Sequence, residues 1–210
     1  MIDVQKVPFY QNREDDMSCM LACLRSALEY LENRPYSWQK LEEITGFTPN
    51  SAAWTVQAWT KLVSQGIDVK MFENFDYERY YQEGEGYLGS FLSPSELAWQ
   101  FEHTNIRQIR PLIPEFLSTV AQTQKSPDRG DIDWLLLNDY LVTVQLNSKV
   151  LNNKPGYSAH MILVLQREGD EYIAHDPGLP GQALRRISGP LLYKAMGGPG
   201  NSVEVTGLKK

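Results

Sequence analysis

Cys19 stands in the run Ser18-Cys19-Met20-Leu21-Ala22-Cys23-Leu24, where a polar, acidic loop gives way to apolar residues at helical spacing. That spacing puts a thiol at a helix N-terminus, where unpaired backbone N–H groups favour negative charge. Cys19 therefore has a structural reason to be nucleophilic, which a buried cysteine lacks. Thiol catalysis also needs an imidazole to carry the proton, a third group to orient that imidazole, and donors for the oxyanion. The chain has three histidines: His103 in an ill-defined helix, His160 at a strand start and His175 at a strand end.

The elements that must position these groups are legible in part. Residues 1 to 17 read as an extended lead-in, and Ser18 is placed to cap the helix that follows. Leu21, Leu24, Ala27, Leu28 and Leu31 give that helix one apolar stripe, ending near Asn33-Arg34-Pro35. A short helix capped by Ser37 and a longer one from about Ser51 to Gln65 come next, stopped by Gly66. Ile67, Val69 and Met71 then alternate as a strand. Residues 73 to 130 mix aromatics with Glu, Gly and Pro without a sustained period, and read as loops and short helices, the best at Ser95 to His103 and Pro114 to Gln124. The aromatic segment Phe75 to Phe91 reads as packing beneath a lobe in preference to a cleft lining.

Beyond 130 the pattern clears. Ile132 to Asn138 reads as helix, Leu141 to Leu146 as a buried strand, and His160 to Gln166 with Tyr172 to Asp176 as a hairpin. Ser188 to Met196 reads as a last helix and Val203-Glu204-Val205 as an edge strand. A three-residue turn at Glu168-Gly169-Asp170 would set Asp176 opposite Ile162, on the His160 face. Asp176 then orients His160 and His175 points away; a one-residue slip reverses the assignment.

Four segments carry a family resemblance: Val7-Pro8-Phe9-Tyr10-Gln11, Ser18 to Leu24, Ala159-His160-Met161-Ile162-Leu163-Val164, and His175-Asp176-Pro177-Gly178. Together they resemble papain-like cysteine peptidases, most of all the bacteriocin-leader-processing branch and its stand-alone relatives. The resemblance implies an α+β papain-like fold, with the nucleophile helix in an N-terminal helical lobe and an antiparallel sheet after it. It implies Cys19 as nucleophile, His160 as general base, Asp176 as orienting carboxylate, and Gln11 with the Cys19 N–H as oxyanion donors. Met20 stands where this branch usually has glycine, Gln11 lies further before Cys19 than is usual, and residues 46–130 form an enlarged, mostly helical insertion in a single domain 1–210.

The expected activity is hydrolysis of a peptide or amide bond through an acyl-enzyme on Cys19, with a peptide or protein as substrate. The same Cys-His pair would serve an acyltransferase or deamidase, and a peptide-binding module that keeps the fold without the chemistry is the reading outside enzymes. A metal or other cofactor is not expected, because Cys19 and Cys23 inside one helix lack the turn spacing of structural zinc sites. The formal charge of −6 offers no basic field for nucleic acid. No apolar run approaches the ~20 residues that cross a bilayer, so no membrane partner is expected. No signal peptide is visible and both cysteines read as free thiols, which makes the cytoplasm the expected location. Oligomeric state is not readable.

Overall fold

The computed structural model describes residues 2–197 and 203–210. The apolar stripe becomes the buried face of α1 (Cys19–Glu32), where Leu21, Leu24, Ala27 and Leu28 are inaccessible to solvent. Asn33 ends the helix in the left-handed conformation that asparagine tolerates. The Ser37 hydroxyl caps α2 (Trp38–Thr45) by accepting from Lys40 N–H. Helix α3 (Val56–Ser64) starts later than the expected Ser51, because the backbone before it pairs elsewhere. Ala52 bridges to Thr104, and the Trp54 N–H donates to Asn105 Oδ1 at 2.7 Å.

Strand β1 (Asp68–Glu73) leads into the short helices α4 (Tyr77–Glu83), α5 (Glu85–Phe91), α6 (Pro94–His103) and α7 (Ile106–Ile109). A 3-10 turn then passes into α8 (Ile113–Thr119). The expected helix to Gln124 stops there, and Ala121–Gln124 forms β2, parallel to β1. Of the aromatics in this region, Phe75 is the hub, with Trp54, Tyr77, Tyr80, Tyr87 and Phe91 ringed about it. Next come α9 (Arg129–Leu137), β3 (Leu141–Asn147), α10 (Ser148–Leu151), β4 (Ala159–Glu168), β5 (Glu171–Asp176), β6 (Gln182–Ser188), α11 (Gly189–Met196) and β7 (Glu204–Lys209). Among the described residues no helix is long and apolar enough to cross a membrane.

Among the described residues seven strands join one sheet in the order β2-β1-β7-β3-β4-β5-β6, antiparallel except for β1 with β2. The fold is thus mixed α and β, with helices on both faces. Two features correct the sequence reading. The segment at 203–205 is no edge: β7 lies between β1 and β3. Strand β6, with no apolar alternation to announce it, forms the edge beyond β5.

The register grades polarity along the face covered by α1 and α3. Leu141, Leu208 and Val69 form an apolar row. Leu163, Thr143, Thr206 and Met71 form the next. Met161 opposite Gln145, and Glu204 opposite Glu73, form the third, since Val144 opposite Val205 puts Gln145 next to Glu204. The sheet therefore becomes polar towards the end where α1 begins.

On the opposite face Gly207 lets α9 approach the central strand. A Cβ built there would lie 2.5 Å from Leu135 Cδ2 and 2.8 Å from the Tyr140 ring. Gly207→Ala is expected to cost about 1–3 kcal/mol by overpacking, read as a lowered urea midpoint at unchanged m.

Candidate active site

Cys19 is the first residue of α1, and its side chain is partly exposed. Ser18 occupies the N-cap position without capping, which departs from the expectation. Its hydroxyl donates to Asn12 Oδ1 at 2.7 Å and accepts from Arg13 N–H at 3.0 Å. The first intrahelical bond is Ala22 N–H to Ser18 O, so the N–H groups of Cys19, Met20 and Leu21 precede the helical ladder. A helix opening left in this way offers donors beside the thiol.

His160 is the second residue of β4, and Asp176 is the last of β5. They meet by a route the sequence reading did not foresee. The hairpin turn has two residues, Gly169 and Asp170, with Glu168 opposite Glu171. Continued unbroken, that register would set Asp176 opposite Leu163 and on the wrong face. A bulge between Val164 and Gln166 shifts it by one, so Leu163 faces His175, and the shifted register extended by one residue sets Asp176 against Ile162. The expected face is reached through a tighter turn plus a bulge.

His160 Nε2 and Asp176 Oδ1 are 2.7 Å apart, both side chains buried. Nε2 therefore donates to the carboxylate, and Cys19 is near enough to the imidazole to favour its charged form. Burial alone would pull the His160 pKa down. The bond to Asp176 and the influence of the Cys19 thiol outweigh it and raise the pKa to about 10. Burial would likewise raise Asp176, but His160, the Gly178 N–H and Arg185 bring it down to about 2.

Arg185 lies on β6, whose sequence has no apolar alternation to mark a strand or to point to this residue. It stands opposite Ala174 and puts one guanidinium nitrogen 2.6 Å from Asp176 Oδ2, while the other bonds Leu151 O at 3.0 Å. Both carboxylate oxygens are thus engaged. Gly178 packs over the pair: a Cβ there would lie 3.2 Å from Asp176 Oδ1.

The remaining residues separate cleanly. His175 is buried and faces the lead-in, with Nδ1 accepting from Leu184 N–H and Nε2 donating to Val7 O; burial, its largest influence, lowers its pKa. Cys23 is buried with its thiol 3.5 Å from Met161 O, and burial pushes that thiol up. Neither cysteine is bonded to the other. Gln11 is exposed against the 177–181 turn, where the Asn12 N–H donates to Pro177 O and the Gly181 Cβ position lies 2.7 Å from Gln11 Cβ. His103 is the C-terminal residue of α6, beside Trp99.

Cys19 and His160 open onto a cavity of about 170 Å³ that extends over the polar row of the sheet. Gln11 is not among the described residues that line it. The chain matches no family model and no curated protein.

The two shifts define a pH window. A raised His160 stabilises the fold fully below about 6.5 and loses that contribution as pH rises towards 10. A lowered Asp176 contributes fully above about 3.8 and loses its share as pH falls towards 2. Asp176→Asn strands Arg185 and the imidazolium, so a loss of about 3–5 kcal/mol is expected inside that window. Urea unfolding of both proteins across pH should show the difference shrinking on either side; a flat difference contradicts the ion pair.

Proposed function

We propose that the protein is a thiol hydrolase of the papain-like α+β kind that cleaves a peptide or amide bond through an acyl-enzyme on Cys19. The observation that carries this reading is an imidazole held by a buried carboxylate on the same cavity as a thiol at a helix opening. A core histidine would need neither the thiol nor the cavity.

In the proposed reaction the Cys19 thiol passes its proton to His160 and its sulfur attacks the acyl carbon, forming a C–S bond while the carbonyl electron pair moves onto oxygen. The Cys19 N–H at the helix opening receives that oxyanion; Gln11, exposed against the 177–181 turn, joins it only if its side chain swings towards the thiol. As it collapses the C–N bond breaks, and His160 gives its proton to the departing amine. Water then loses a proton to His160 and attacks the thioester, returning the acid product and the free thiol. Asp176 keeps Nε2 occupied throughout, which leaves Nδ1 as the working nitrogen. Free cysteines suit a reducing compartment, and we place the protein in the cytoplasm.

Brief, limiting iodoacetamide at pH 6 tests the pair by intact mass. One fast adduct on Cys19 is expected, absent in Cys19→Ala and slowed about tenfold or more in His160→Ala. Slow labelling shared equally by Cys19 and Cys23, unaffected by loss of His160, would leave a peptide-binding module in its place. With peptide substrates, release of ammonia or formation of a new amide would redirect the reading to deamidation or acyl transfer.

A further inference from the structure

Arg185 stands one layer behind the reacting groups, and no step of the proposed reaction uses it. The two oxygens of Asp176 are filled unequally. Oδ1 accepts from His160 Nε2 at 2.7 Å and from Gly178 N–H at 3.0 Å. Among the described residues Oδ2 accepts only from Arg185, at 2.6 Å. The Asp176 side chain is 5% exposed, which leaves little room for water to take the place of that donor. An anionic oxygen buried without a donor is costly, and the carboxyl sheds the cost by taking up a proton there or by turning. Either change reaches His160. A protonated Asp176 becomes able to donate, and a turned one takes Oδ1 off Nε2.

The guanidinium is itself held from outside the strands that carry His160 and Asp176. The nitrogen that meets Asp176 also donates to Asn152 Oδ1 at 3.1 Å, and the other terminal nitrogen donates to Leu151 O at 3.0 Å. Leu151 ends α10 and Asn152 follows it as the C-cap. On β6, Arg185 stands opposite Ala174, two residues before Asp176 and so on the same face of β5. A planar fork spans Oδ2 and Leu151 O together. A lysine ammonium at this position would keep the charge and lack the fork.

We propose that Arg185 is a positioning residue for the Cys19–His160 chemistry. By pinning Asp176 through Oδ2 to the end of α10, it holds Oδ1 on Nε2, fixes the imidazole in one tautomer and keeps Nδ1 free for the thiol. The work done by Nδ1 rests on the thiol hydrolase reading; the hold on the imidazole does not.

Two readouts separate positioning from a plain contribution to stability. The first is the His160 tautomer in Cys19→Ala protein with isotopically labelled histidine nitrogens, read by long-range proton–nitrogen NMR above the His160 titration midpoint. A single Nε2–H form is expected, giving way to a mixture in Cys19→Ala/Arg185→Lys and Cys19→Ala/Arg185→Gln. The second, with Cys19 present, is iodoacetamide labelling at pH 6, expected to slow about threefold or more in Arg185→Lys and about tenfold or more in Arg185→Gln. A single tautomer that survives both substitutions overturns the inference, whatever the urea midpoint does. So does fast labelling that neither substitution slows. If neither variant folds, the unsubstituted protein decides: a freely rotating Arg185 guanidinium, or mixed His160 tautomers with Arg185 in place, overturns the inference. If the unsubstituted protein gives no fast adduct, the thiol hydrolase reading fails and the tautomer alone judges the hold on the imidazole.

Discussion

The Asp176 carboxylate is held out of water by three donors from separate segments: the His160 imidazole, the Gly178 N–H and the Arg185 guanidinium. A buried charge is tolerable only when its lone pairs are filled in this way. Each donor arrives by its own route. The bulge in β4 turns Asp176 to the face of His160, the 177–181 turn folds back over it, and edge strand β6 brings Arg185 across. The lead-in is fixed to that turn through Asn12 and Pro177, and its other end to α1 through Asn12 and Ser18. Loss of the carboxylate would release constraints on all of these at once.

The groups brought together were legible because each sits at an element boundary with strong local character: the thiol at the start of an apolar stripe, the histidine and carboxylate at the ends of β-branched and aromatic runs. Their shared face was read correctly for an incomplete reason. A hairpin's turn length can be guessed from Gly169-Asp170, whereas a bulge leaves no mark in an apolar run such as Ile162-Leu163-Val164-Leu165, in which every side chain is buried. Two-sided burial of β4 removes the alternation that would have exposed the shift.

The unannounced strand β6 and the interior placement of β7 have the opposite cause. Gln182–Ser188 carries two arginines and pairs on one side only, so tertiary contacts, not propensity, make it a strand. Glu204 at the head of β7 suggests a solvent edge until its partners Thr55 and Trp59, almost 150 positions earlier, are in view. Likewise the expected start of α3 at Ser51 ignores the bonds that 52–54 make with 104–105. Local sequence carries no record of such distant pairings.

The placement of β7 has a consequence for biosynthesis. Neither β1 nor β2 pairs with β3, so the sheet assembled from residues up to 197 consists of two fragments, one carrying Glu73 and the other His160 and Asp176. Only the arrival of 204–209 zips them together. A nascent chain that has already exposed Cys19 must therefore wait for nearly the whole of this sequence before the floor of its cavity exists, which makes closure of the sheet a late, non-local event.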